Sequence, residues 1–204
     1  MVKSPAYLVV AIITALPVKL LFRLRAKGKE NLPREGGYVL SANHLSNLDP
    51  WPLGIPLLPH RELRFMAKAE LFRWPLRPIL RFGGAFKVER GQRDEKAIET
   101  AIQLARDGEV VAIFPEGTRR KKGLGKTRRA RAHTGAARVA LSADVPLVPA
   151  AIAGTDRLSR LARLRVAYGP PVELDDLRDL EPREGARIGT ERLMAAISKL
   201  EATL

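Results

Sequence analysis

The order of apolar runs along this chain predicts an α/β fold. The expected architecture is a central, mostly parallel mixed sheet covered by helices, with an apolar helix ahead of it. Three observations carry this expectation. Strand-like apolar runs alternate with segments of helical periodicity. Several of those runs lack a polar face, as strands covered on both sides by helices must. A chain of 204 residues, 46% of them hydrophobic, can bury one full core.

The first element is residues 6–22, nearly all apolar, interrupted by Pro17 and Lys19 and followed by Arg23, Arg25, Lys27 and Lys29. A spanning helix wants about 20 uninterrupted apolar residues. A secretory signal places its basic residues before the apolar run, and here most of them follow it. The pattern fits a helix that dips into one leaflet, with its basic cluster at anionic head groups. An apolar helix packed on the domain itself and a true single span are the competing readings. Residues 1–30 are therefore read as an N-terminal membrane-associating helical segment, and 31–204 as the α/β domain.

Residues 28–37 read as a linker and turn. Strands are expected over 38–42, 63–67, 85–89, 110–114, 145–152 and 164–168, and helices over 50–56, 68–81, 94–107, 133–142 and 183–200. The helix at 50–56 begins on Pro50, a residue suited to the first helical position. In 94–107, Ala97, Ile98, Ala101, Ile102, Leu104 and Ala105 form one apolar stripe, and Gly108 ends it. Pro146 and Pro149, three apart in 145–152, argue for an edge or irregular strand with a structural role. The last helix is read as covering the core.

Composition bounds the chemistry. There is no cysteine, which excludes disulfides and thiolate metal sites. The formal net charge of +14 calls for an anionic partner: nucleic acid, anionic lipid or a phosphorylated substrate. Aromatic residues are only 5%, too few for the stacking platforms that bind single-stranded nucleic acid, so nucleic acid is set aside.

Four stretches concentrate the remaining polar groups. In the first, the run 38–42 delivers His44 into a polar turn, with Asp49 five positions later and directly before Pro50. Histidine accepts a proton near neutral pH, and a carboxylate that takes the proton of its far nitrogen makes it a dependable base. On a regular helix five residues turn the side chain by about 140°, so the pair can meet only across a turn. Pro50 also pushes Asp49 away from helical angles. On spacing alone, Asp49 serves equally well as the N-cap of the following helix. In the second stretch, Gly83 and Gly84 allow a tight turn, and Arg90 ends a short strand as a candidate phosphate ligand. The third places Glu116, Gly117, Thr118 and Arg119 together just past a buried strand, where open α/β sheets bind ligands. Eight basic residues and no acidic one then run from Arg119 to Arg131, a lip for anionic membrane, a phosphate clamp or a solvated loop. The fourth is the proline-containing run 145–149. His60 and His133 receive no role.

Taken together, these stretches resemble the glycerolipid acyltransferase family, and within it the 1-acylglycerol-3-phosphate acyltransferases. His44-Leu-Ser-Asn-Leu-Asp49 is similar to that family's His-x4-Asp block. Gly84-Ala-Phe-Lys-Val-Glu-Arg90 looks like the block that ends in a substrate-binding arginine. Phe114-Pro-Glu-Gly-Thr-Arg119 resembles the block ascribed to acceptor phosphate binding, and Val145-Pro-Leu-Val-Pro149 the fourth block. The resemblance covers residues 39–155. It implies acyl transfer from acyl-CoA or acyl-carrier protein to the sn-2 hydroxyl of 1-acylglycerol-3-phosphate (lysophosphatidate), giving phosphatidic acid. His44 would be the base, Asp49 its partner, and Arg90, Glu116, Gly117, Thr118 and Arg119 the acceptor site. The acyl donor is then a substrate, with no cofactor and no metal required. The resemblance also implies a place at the cytoplasmic face of the cell membrane, peripheral or monotopic. Another lysophospholipid or glycolipid acceptor, or a basic lipid-binding module without turnover, are the alternatives.

Overall fold

A computed structural model describes residues 4–88, 95–117 and 132–204 of the chain. Seven strands form one sheet in the order β1-β7-β6-β2-β5-β3-β4. They are β1 (Arg25–Lys27), β2 (Tyr38–Ala42), β3 (Leu63–Lys68), β4 (Ala85–Val88), β5 (Val110–Ile113), β6 (Leu147–Ala153) and β7 (Arg165–Tyr168). Every neighbouring pair is parallel except β6 and β7. The mixed, mostly parallel sheet is the one expected, because its central strands are apolar on both faces and need cover on both.

That cover comes from six helices among the described residues: α1 (Pro5–Leu21), α2 (Pro50–Gly54), α3 (Leu76–Phe82), α4 (Glu95–Arg106), α5 (Gly135–Ala143) and α6 (Pro182–Glu201). Successive β2 residues split between two cores, as the strand period requires. Tyr38, Leu40 and Ala42 join Leu53, Leu57, Leu63 and Phe65 on one face. Val39 joins Ala101, Ala105, Ala137, Leu193 and Ile197 under α4, α5 and α6 on the other. In α4 the inward positions Ala97, Ala101 and Ala105 are all alanine, four apart, which lets the helix lie close to the sheet.

Several local expectations are corrected. The stretch 145–152 is no edge: β6 lies inside the sheet, between β2 and β7. Pro149 is tolerated there for a specific reason. Its carbonyl accepts from Gly169 N, so its nitrogen faces the same side, opposite a residue just past the end of β7. No ladder donor is needed at that point. The helix expected over 68–81 is only α3, Leu76–Phe82. Lys68 still belongs to β3, Ala69–Leu71 forms a 3-10 turn, and Pro75 disfavours helical angles at Trp74. The segment 50–56 divides into α2 and a 3-10 turn at Ile55–Leu57. β1 is an edge strand that the sequence reading lacks altogether; three residues with an exposed–intermediate–exposed pattern carry no detectable period.

α1 packs on the domain through one side. Its Tyr7 is 6% exposed, and the Tyr7 hydroxyl accepts from Leu63 N at 3.0 Å, joining helix to sheet. Gly84 makes room for it. With φ at +91°, a Cβ there would stand 2.2 Å from Leu63 O and 3.1 Å from the Tyr7 ring. Among the described residues no helix is long and apolar enough to cross a membrane.

Candidate active site

The C-terminal end of β2 carries the site. β2 sits between β5 and β6, and the chain leaves it toward β3 on one side, while β5 leads by α5 to β6 on the other. Open α/β sheets bind ligands past the carboxyl ends of their strands at such a crossing.

The strand end is held from both flanks. Ser41 Oγ donates to Ile113 O at 2.7 Å, toward β5. Asn43 Nδ2 donates to Ile152 O at 3.0 Å, and Ile152 N donates back to Asn43 Oδ1 at 2.7 Å, toward β6. Ser41 and Asn43 are both buried, so the next residue, His44, leaves a rigid platform.

Asp49 folds back across the turn onto His44. Its Oδ2 lies 2.8 Å from His44 Nδ1, and accepts from Leu45 N at 2.7 Å and Ser46 N at 2.9 Å. A carboxylate oxygen can only accept, so Nδ1 carries the proton in the neutral ring and Nε2 is left with a free lone pair. Asp49 is fully buried, and its Oδ1 finds no hydrogen-bond partner among the described residues. The N-cap reading is partly right. Asp49 stands at the N-cap position of α2, but its side chain makes no capping bond there. Its backbone also departs from the expectation, with φ −55° and ψ −35°, inside the helical region. The bonds from Asp49 N to Ser46 O and from Leu53 N to Asp49 O, with the three on Oδ2, offset the steric bias of Pro50.

Phe114, just past β5, stacks on the His44 ring with centroids 4.4 Å apart and 20° between planes. It covers one face of the imidazole, whose side chain is 17% exposed. The turn that follows brings Glu116 and Gly117 to the same strand-end region. Glu116 is buried, and Gly117 is exposed with φ at +63°. A Cβ on Gly117 would meet His133 Cδ2 at 2.6 Å. His133 N donates to Pro115 O at 2.7 Å, which seats the histidine against the turn. The first and third stretches of the sequence are thus brought together. Arg90, Thr118 and Arg119 lie outside the described residues, as does the basic run to Arg131.

Sequence reasoning missed three members of this arrangement. His133, without a role in the sequence reading, touches the Gly117 turn, and no spacing pattern connects the two. Asn43 was readable: a polar residue at the end of an apolar strand, directly before a histidine, wants buried partners. Phe114 reads as the last residue of a strand and serves as the wall of the imidazole. A small cleft of about 30 Å³ lies between α1, α2 and β3. Val10, Ala11, Trp51, Ile55, Leu58 and Phe65 are among its lining residues. Among the described residues no group of histidine, cysteine, aspartate and glutamate could hold a metal ion.

Comparison with known proteins accords with this geometry. The acyltransferase family model matches residues 23–153. A 1-acyl-sn-glycerol-3-phosphate acyltransferase of Bacillus subtilis (strain 168) is 34% identical over 197 residues, 93% of this chain and 95% of that protein. A probable 1-acyl-sn-glycerol-3-phosphate acyltransferase of Mycoplasma pneumoniae is 34% identical over 137 residues, 62% of this chain and 47% of that protein. The crystal structure of the 1-acyl-sn-glycerophosphate (LPA) acyltransferase PlsC from Thermotoga maritima has a TM-score of 0.68 and 23% identity, covering 95% of this chain and 79% of that one, a likeness of fold. A family match over residues 23–153 and a relative of nearly equal length place this chain in the acyltransferase family.

Proposed function

We propose that the chain transfers a fatty acyl group from an acyl thioester, acyl-CoA or acyl-carrier protein, to the sn-2 hydroxyl of 1-acylglycerol-3-phosphate, giving phosphatidic acid for phospholipid synthesis. One observation carries the reading. The His44 imidazole is oriented by a buried carboxylate oxygen 2.8 Å from Nδ1, which leaves Nε2 as a base at the open end of the sheet. The relative of nearly equal length in Bacillus subtilis, named for this reaction, supports the choice of acceptor.

The steps follow from the groups present. His44 Nε2 takes the proton of the acceptor hydroxyl as that oxygen attacks the thioester carbonyl. Asp49, buried beside Nδ1–H, stabilises the imidazolium that forms. The tetrahedral intermediate collapses, the carbon–sulfur bond breaks, and the thiolate takes the proton back from His44. No enzyme nucleophile is needed: the chain has no cysteine and no Gly-x-Ser-x-Gly turn. Arg90 and Arg119 hold the acceptor phosphate, with Glu116, Gly117 and Thr118 shaping the turn around its glycerol. Glu116, as a carboxylate, orients an arginine or a hydroxyl and does not bind the phosphate. α1 associates with one leaflet at the cytoplasmic face of the membrane, where the acceptor resides.

The test is thiol release from the acyl donor with and without lysophosphatidate, in the parent and in His44→Ala. A folded His44→Ala is expected to lose at least about a hundredfold in turnover. Near-parental turnover removes His44 as the base, and donor consumption independent of lysophosphatidate removes the acceptor.

A further inference from the structure

α1 is apolar on two opposite sides. At 3.6 residues per turn, Val9, Ile12, Ile13, Leu16 and Leu20 fall within an arc of about 100°, away from the Tyr7 and Ala15 side that packs on the domain. All five are more than half exposed, from 56% to 67%. A second element repeats the pattern. Trp74 is 87% exposed, and in α3, which packs beside α1, Leu76, Ile79 and Phe82 are 48%, 39% and 44% exposed. Those three fall in one arc of about 120°, while Leu80, alone in α3, is buried. Most of the large exposed apolar residues of the described chain belong to these two elements. Leu48, inside the His44–Asp49 turn, is another, at 45%. Exposed apolar surface on this scale marks an interaction site.

The charges around it choose the partner. Lys19, Arg23, Lys68, Arg73, Arg77 and Arg81 are exposed on or beside these elements. No acidic residue occurs from Pro5 to Lys29, and Glu70 alone lies between Lys68 and Arg81. An apolar face with tryptophan and a basic border fits the surface of an anionic bilayer. We infer that Trp74 and α3 form a second membrane anchor, which with α1 makes one composite face inserted in an anionic leaflet. It rests on the reading that the acceptor is a membrane lipid. Two anchors on one side of the domain fix its tilt and hold the turn carrying Leu48 at the lipid surface.

Tryptophan fluorescence of the full chain tests this directly. The chain has only Trp51 and Trp74, so Trp51→Phe leaves Trp74 as sole reporter. Vesicles of phosphatidylglycerol and phosphatidylcholine are expected to shift its emission to the blue, and brominated acyl chains to quench it. Trp74→Ala with Ile79→Ser is expected to weaken vesicle partition at least about tenfold, with an unchanged circular dichroism spectrum. Flotation of the protein with vesicles while Trp74 stays unquenched would overturn the second anchor and leave the catalytic proposal standing. Equal partition onto pure phosphatidylcholine would overturn the anionic leaflet. A lipid-free dimer that shields Trp74 from soluble quenchers would assign the face to a second copy and overturn the inference. Loss of thiol release in His44→Ala belongs to a separate assay, so the two failures are distinguishable.

Discussion

Asp49→Asn asks how much the buried carboxylate contributes while leaving side-chain volume nearly unchanged. In the parent, Oδ2 receives three hydrogen bonds, from His44 Nδ1 and from the amides of Leu45 and Ser46, all between 2.7 and 2.9 Å. A bond to a charged acceptor is worth about 1 kcal/mol more than one to a neutral acceptor, so the three together lose about 3 kcal/mol. The amide has two placements, and both harm the site. With its oxygen at the Oδ2 position, the backbone bonds survive, but the NH2 group is buried where Oδ1 has no partner among the described residues. With its nitrogen there, it donates to Nδ1, forces the ring proton onto Nε2 and removes the base. Turnover is therefore expected to fall by about 10²- to 10⁴-fold, and the urea midpoint to drop in line with the lost stability. The assay is thiol release from acyl-CoA or acyl-carrier protein in the presence of lysophosphatidate. The enzyme has no cysteine, so every titrated thiol comes from the donor. Turnover within threefold of the parent, at about the same threefold precision in the assay, would refute the orienting role of Asp49. An unchanged urea midpoint would refute its anchoring of the turn.

Three further outcomes are expected. Gly117→Ala adds a Cβ 2.6 Å from His133 at a φ of +63°; it is expected to cost about 1–3 kcal/mol in a denaturant titration and to raise KM for lysophosphatidate. Asn43→Ala strips two buried hydrogen bonds to Ile152, and a loss of about 2–4 kcal/mol is expected by thermal or urea unfolding, with lower turnover in the fraction that remains folded. Arg90→Ala and Arg119→Ala are each expected to raise KM for lysophosphatidate by about tenfold or more with little change for the acyl donor, read from initial rates at varied concentrations of each; a change confined to the donor would refute their assignment to the acceptor phosphate.

The α/β class and the central strands were legible in the amino-acid order; for His44 and Asp49 the spacing left an N-cap role equally open, and the resemblance to the acyltransferase blocks pointed to their pairing. Each depends on short-range information. The apolar run opening Tyr38–Ala42 reports burial on both faces, and the His44–Asp49 turn closes within six residues through its own backbone amides. Local signals misled where they competed. The prolines of 145–152 pointed to an edge, yet what mattered was that β7 ends opposite Pro149. Pro50 argued against helical angles at Asp49, yet the bonds within the turn outweigh it.

The rest depends on chain segments far apart in sequence. Asn43 meets Ile152 across 109 positions, and Ser41 meets Ile113 across 72. Phe114 reaches the His44 ring because β2 and β5 pair in parallel and end together, and His133 meets the Gly117 turn because α5 starts at that same end of the sheet. A residue's type states what it needs, a partner or a covering, but strand order decides who supplies it. That order is set by the summed burial of many side chains, and no single window of sequence contains it.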